Sequence, residues 1–488
     1  MEKIGFDNEK YLKIQSEHIK QRISQFGDKL YMEFGGKLYD DYHASRVLPG
    51  FQPDSKLRML MQLKDEAEII IAISAVDIEK SKVRGDLGIT YDEDVLRLQD
   101  IFTQRGLLCQ SVVITKFNGQ ASAKAYRERL ERLGLKVYYL YNIVDYPNNV
   151  NLIDSEDGFG KNDYVVTRRP LVIVTAPGPG SGKMAVCLSQ LYNEHKRNIE
   201  AGYAKFETFP VWSLPLKHPV NIAYEAATAD LNDVNMIDPF HLEAYGKTAI
   251  NYNRDIEIFP VLNALFEGIY GESPYKSPTD MGVNMVGFCI SDDAVCAEAS
   301  RQEIIRRYYE ATNKFANGAN NEAEINKIRL LFNQAKIDKN YRKVVGAALR
   351  RKEETGHTSA AIELADGTII TGGSSPLLGA SAALLLNTTK YLAGIDHELK
   401  LIPQEMIEPI QKTKVEFLKG RNPRLHTDEV LLALSMLSLS DDNCRRALDT
   451  LPLLKGCQVH TTTMLGEVDL KIFKKLGVNL TCEPVKKK

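Results

Sequence analysis

Two rhythms of apolar and polar positions run through this chain of 488 residues. Over residues 7–26, Tyr11, Ile14, His18 and Ile19 recur at helical spacing and predict one buried helix face. Leu30–Tyr39 alternates around Gly35-Gly36 and predicts a hairpin. Four apolar runs follow, Glu68–Val76, Ser111–Phe117, Lys136–Ile143 and Leu171–Thr175, with helical stretches Tyr91–Arg105 and Ala121–Leu133 between the early ones. Strand alternating with helix predicts an α/β fold built on a doubly wound, mostly parallel sheet, Rossmann-like or phosphate-loop-like.

The stretch 205–300 is irregular and dense in polar residues beside turns, apart from the helix-like Ile256–Ile269. Helices are predicted over Ala294–Phe315 and Asn321–Lys336, separated by an Asn/Gly-rich turn. Beyond them the pattern restarts. Ala360–Leu364 and Gly367–Thr371 predict a hairpin across Ala365-Asp366. Gly372–Gly379 opens an apolar helix, Ala380–Ala393, which Ser374 or Ser375 is expected to cap. Short strands around Cys457–Met464 and Val478–Cys482 complete a second, smaller α/β domain. The expected division is 1–340 and 341–488.

The most informative segment joins the fourth apolar run to the next helix: Leu-Val-Ile-Val-Thr-Ala-Pro-Gly-Pro-Gly-Ser-Gly-Lys, residues 171–183. Gly178, Gly180 and Gly182 let backbone N–H groups crowd around one anion. The helix start adds free N–H groups and the positive end of its dipole, and Lys183 adds a full charge. Gly178, Gly180, Ser181, Gly182 and Lys183 are therefore the expected phosphate-binding residues. The loop resembles the G-x-x-x-x-G-K-[ST] template without matching it. Gly182-Lys183 fits, but Pro177 stands at the first glycine, and Met184 replaces the hydroxyl residue that normally holds Mg²⁺.

Other candidates accompany this loop. Asp230, Asp233 and Asp238 have the chemistry to hold a divalent cation with phosphate oxygens. His241 titrates near neutral pH and suits acid–base work. Asp230, Asp233 and His241 are the expected catalytic residues. Arg84 and Arg254 suit bidentate contact with phosphate or carboxylate. Asp86, Asp280 and Asn284 lie in turn-rich ligand-loop settings. For each of these, a turn, cap or packing role is the competing reading. His357-Thr358-Ser359 makes a second polar stretch.

Composition narrows the classes. The formal net charge of −2 excludes a protein held on nucleic acid by bulk electrostatics. No apolar run is long enough to span a bilayer, and the polar Met1–Lys10 predicts no leader, so a cytoplasmic protein is expected. Seven scattered cysteines without C-x-x-C read as free thiols. Neither H-E-x-x-H nor a G-x-S-x-G elbow occurs.

Val174–Lys183, Asn221–Asp233, Asp238–Gly246, Ser277–Asn284, Asp366–Gly379 and Val478–Pro484 together resemble a bacterial family of uncharacterised proteins known only as a domain of unknown function. The resemblance runs essentially end to end. It implies a large first domain with a nucleotide-binding look and a smaller C-terminal one, and it assigns no reaction. The leading expectation is an enzyme binding a nucleotide or phosphorylated metabolite, with ATP and Mg²⁺ the first cofactors to test. The alternatives are a non-catalytic phosphate-binding or homo-oligomeric assembly protein and, ranked lower, a dinucleotide-dependent oxidoreductase.

Overall fold

The computed structural model describes residues 3–485 apart from 28, 37, 40 and 86. The strands that build its first part are β1 (Leu30–Phe34), β2 (Ala67–Ser74), β3 (Leu108–Phe117), β4 (Lys136–Tyr141), β5 (Leu171–Thr175), β6 (Gly202–Phe206), β7 (Asn235–Ile237), β8 (Ile250–Tyr252) and β9 (Gly282–Val283). Seven of them form one sheet in the order β9-β6-β1-β5-β2-β3-β4, and every pairing is parallel. β7 and β8 make a separate antiparallel ladder, as do the two-residue segments Val83–Arg84 and Ile89–Thr90.

Eight consecutive residues of β2 are buried. That is the signature of a strand covered on both faces, as a doubly wound sheet requires. On one face, Tyr31, Ile70, Val172, Val174 and Tyr203 pack with Val186, Leu191, Phe259 and Phe266 from the helices Lys183–His195 and Asn253–Tyr270. Each such side chain removed from water stabilises by about 1.5–3 kcal/mol before entropy is counted. Among the described residues, no helix is long and apolar enough to cross a membrane.

Sheet order fixes where ligands are met. The chain leaves β1 towards the β4 edge and returns to insert β5 between β1 and β2. It then crosses β1 to lay down β6. Connections from the sheet centre thus depart in opposite directions, and in such sheets ligands bind beyond the carboxyl ends of the strands at that point.

Leu30–Tyr39 is not a hairpin. Leu30–Phe34 is a single central strand flanked by β5 and β6. Gly35 serves close approach: its N–H donates to the Phe206 carbonyl at 3.0 Å, and a Cβ there would stand 2.7 Å from that oxygen. The predicted helices appear as Asn8–Gln25, Asn253–Tyr270, Asp293–Ala316 and Glu322–Ala335.

The chain divides into two compact units. One holds Ile4–Glu225 and Asp233–Ala299; the other holds Ala226–Asn232 and the chain from Ser300 onward. The second carries a four-stranded sheet of β10 (Ser359–Glu363), β11 (Ile369–Gly373), β12 (Gln458–Thr461) and β13 (Asn479–Cys482) in the order β11-β10-β12-β13. β10 and β11 form the expected antiparallel hairpin, and β12 pairs β13 in parallel. The apolar helix Ala380–Leu392 packs Leu384 and Leu385 against Ile362 and Val459. Its N-cap is Gly379 rather than a serine. The Ser375 hydroxyl instead accepts from the amides of Leu377 and Leu378, closing the turn before it.

Candidate functional site

The loop 176–182 leaves the carboxyl end of β5 and enters the helix Lys183–His195. Gly180 and Gly182 have φ of +77° and +82°, backbone that L side chains rarely adopt. The two ends of the loop lie against neighbours. A Cβ on Gly178 would fall 2.1 Å from the Tyr91 hydroxyl, and one on Gly182 would fall 2.9 Å from Thr115 Oγ1.

Its carbonyls are engaged. Ser181 Oγ donates to the Gly178 carbonyl at 3.0 Å, Lys116 Nζ to that of Gly180 at 3.0 Å, and Thr115 Oγ1 to that of Ser181 at 2.8 Å. Lys116 itself has φ +54° and lies in a register irregularity between Ile114 and Phe117. The amides are a different matter. Among the described residues, the N–H groups of Gly178, Gly180, Gly182, Lys183, Met184 and Ala185 donate to no protein acceptor, while Pro179 and Gly180 form a turn between Gly178 and Ser181. Pro179 and Gly180 are exposed, so the cup reaches solvent. Unpaired amides at a helix N-terminus carry the partial positive charge that can receive an anion.

Lys183 is the first residue of that helix. The residue is half-buried, and its ammonium makes no hydrogen bond or ion pair among the described residues. Burial lowers its pKa; Glu33 opposes that shift, while Lys205 and Arg254 add to it.

These neighbours define a second layer on the same face of the sheet. Glu33 on β1 and Lys205 on β6 are direct cross-strand partners near the carboxyl ends. Glu33 Oε2 accepts from the Tyr203 hydroxyl at 2.8 Å. Lys205 Nζ lies 2.9 Å from Glu207 Oε1, pairs with Asp255, and donates to the Tyr252 hydroxyl. Burial disfavours the Lys205 ammonium, but Asp255 and Glu207 hold its pKa well above the usual value. Burial, reinforced by Asp255, pushes the Glu207 carboxyl up to about 7 against the pull of Lys205. The side chains of Lys205, Glu207 and Asp255 keep 12, 11 and 14% exposure, so the cluster is not sealed.

The structure brings some of the sequence-predicted residues together in pairs. Arg254 binds Asp233, with Nη2 donating to Oδ2 at 2.8 Å and Nε lying 2.5 Å from Oδ1 in an ion pair. The Arg254 guanidinium also lies over the Tyr252 ring at 5.5 Å. His241 Nδ1 is 3.0 Å from Ser277 Oγ and 3.7 Å from Asp280 Oδ1. Asp280 also accepts from the Tyr245 hydroxyl at 2.8 Å.

Others stand apart. Asp238 caps the helix Pro239–Tyr245 through the amides of Phe240 and His241. Asn284 donates to the carbonyls of Thr208 and Pro210 and holds that bend. Arg84 is buried and binds Asp94 at 2.8 Å, with Arg97 on the other oxygen of that carboxylate at 2.7 Å. Asp230 is exposed on the turn Ala229–Leu231 and belongs to the other compact unit. Asp86 lies outside the described residues. Among the described residues, no three His, Cys, Asp or Glu side chains are grouped to hold a metal ion.

Sequence reasoning missed Glu33, Lys205, Glu207 and Asp255. The available signal was a carboxylate inside an apolar strand directly before Gly35-Gly36, and a lysine alternating with Tyr203 and Glu207.

A seven-stranded parallel sheet with a glycine loop at its central carboxyl edge defines an α/β protein of the Rossmann-like, phosphate-loop-like class. That architecture is consistent with a domain binding nucleotide or phosphate. The chain belongs to the family described as domain of unknown function DUF1846: the N-terminal domain of that family matches residues 4–336 and the C-terminal domain matches 340–488. It is 59% identical over 483 residues to a UPF0371 protein of Corynebacterium aurimucosum, covering 99% of this chain and 97% of that one. A UPF0371 protein of Streptococcus thermophilus is 54% identical over 484 residues, covering 99% and 98%.

Proposed function

We propose that the protein is an enzyme that binds a phosphate-bearing small molecule, with the phosphate on the amides of Gly178–Lys183 and its charge balanced by Lys183. One observation carries this reading: six loop and first-turn amides donate to no acceptor within the described protein, and the Lys183 ammonium makes no hydrogen bond or ion pair there. A bound phosphate would satisfy amides and ammonium at once. The carboxyl and ammonium groups of Glu33, Lys205, Glu207 and Asp255 supply proton donors and acceptors beside it, which is what chemistry on such a ligand requires.

Calorimetric titration tests the proposal with inorganic phosphate, ATP with and without Mg²⁺, GTP, a nicotinamide dinucleotide and sugar phosphates. At least one phosphate-bearing ligand binds saturably. Lys183→Ala weakens it by about tenfold or more, the loss of one charge-assisted contact of about 1.5–3 kcal/mol. Absence of binding by every phosphate compound, or an unchanged affinity in Lys183→Ala, overturns the reading.

A further inference from the structure

We propose that the ligand of the Gly178–Lys183 cup is a phosphorylated polyhydroxy compound, a sugar or polyol phosphate or the ribose phosphate of a nucleotide, whose hydroxyls bind the cluster of Glu33, Lys205, Glu207 and Asp255. The inference rests on the phosphate reading above and adds the chemistry of the rest of the molecule.

Lys183 links the two regions. It begins the helix at the cup, and that helix packs Val186 and Leu191 with Tyr31 and Tyr203, which precede Glu33 and Lys205 by two residues on β1 and β6 and so share their face of the sheet. Lys205 in turn bonds Glu207 and Asp255. A ligand held at the cup therefore extends past Lys183 onto these groups. What they accept is set by charge. Glu33, Glu207 and Asp255 repel a second phosphate, and they are poor company for an alkyl group, which would strip their hydration without replacing it. A hydroxyl serves them well. It donates to a carboxylate and accepts from an ammonium, and neighbouring hydroxyls on one carbon chain can do both at adjacent positions. Lys205 Nζ is shared among Tyr252, Asp255 and Glu207, whereas among the described residues Glu33 Oε1 and Asp255 Oδ1 make no hydrogen bond and are left to accept from a ligand's hydroxyls. Tyr203 and Tyr252 hold it from behind: the Tyr203 hydroxyl donates to Glu33 at 2.8 Å, and the Lys205 ammonium stands over the Tyr252 ring at 4.6 Å. The cluster is thus positioned before a ligand arrives, yet stays open to solvent.

The test compares ligands that differ only in hydroxyls. Ribose 5-phosphate, glucose 6-phosphate and AMP are titrated against the full-length protein beside pentyl phosphate, hexyl phosphate and inorganic phosphate. The expected result is that at least one hydroxyl-bearing phosphate binds tenfold or more tightly than the alkyl phosphates. Glu33→Gln and Asp255→Asn then shrink that preference, read within each variant as the ratio of its affinities for the hydroxylated and the alkyl phosphates. Equal affinity for hydroxylated and alkyl phosphates in the unmutated protein overturns this inference while the phosphate reading stands. Failure of every phosphate compound, inorganic phosphate included, overturns both. The comparison on the unmutated protein decides the matter even where a variant folds poorly. Among the hydroxylated ligands, preference for AMP over the sugar phosphates assigns a nucleotide, and the reverse assigns a free sugar phosphate.

Discussion

Lys183 is the residue on which the proposed function turns. Burial lowers its pKa, and the Glu33 carboxylate opposes that shift without bonding to it. The glycines around it are equally constrained, and they differ in a way that can be measured. Gly182 combines φ +82° with close neighbours: a methyl added there would stand 2.9 Å from Thr115 Oγ1 and 3.0 Å from its Cβ. Gly182→Ala is expected to destabilise by about 2–4 kcal/mol, from backbone strain and overpacking together. Gly180 has φ +77° but open space where the methyl would stand, so Gly180→Ala should cost only about 1 kcal/mol. Urea unfolding of the two variants checks the order; an equal shift in midpoint would mean that Thr115 gives way freely. The glycine loop is legible in the sequence because its residues are consecutive and each has a conformational reason. Glu33, Lys205 and Asp255 are far apart in the chain and meet only through strand order, which no local pattern encodes. Arg84 draws attention by a charge that the fold gives to Asp94.

At the level of elements, the strands easiest to read are those with unbroken apolar runs, such as β2. Two others mislead for opposite reasons. Gly35-Gly36 looks like a turn, although Gly35 is there to admit the Phe206 carbonyl. β6 escapes notice because its alternating positions carry Tyr203 and Lys205, the latter part of the candidate site; a lysine there erases the strand's apolar signature. The short helix Pro239–Tyr245 illustrates another ambiguity. Asp238 groups with Asp230 and Asp233 as a cation ligand by residue type alone. In the fold its Oδ1 accepts from the amides of Phe240 and His241 at 3.0 Å each, and its Oδ2 from the Thr279 hydroxyl at 2.6 Å. Asp238→Ala removes the cap and leaves the Thr279 hydroxyl without its acceptor. A loss of about 1–3 kcal/mol is expected in chemical denaturation. Asp238→Asn should recover part of it, since the amide oxygen can still cap.

Over the whole molecule, the composition already indicates an ordinary folded protein, and the thiols bear on that directly. All seven cysteines are free and buried. Burial pushes the thiols of Cys109, Cys289 and Cys296 up to about 12 and that of Cys444 to about 11, so thiolate is scarce at neutral pH. A disulfide-exchange dye should therefore react slowly with the native protein and titrate seven thiols in denaturant; rapid reaction of any one in the native state would expose a cysteine that the fold does not protect. Architecture carries further than chemistry here, because relatives that match nearly end to end share the scaffold without a named reaction. The tethers from Thr115 and Lys116 to the glycine loop have one more implication. They come from a strand outside the loop's own segment, so the receptor is already cast when the visitor arrives. Little ordering is then left to impose on docking. On the reading proposed above, arrival rather than closure would set how quickly the seat fills, and sulfate, a tetrahedral oxyanion of similar radius, would compete with inorganic phosphate for it.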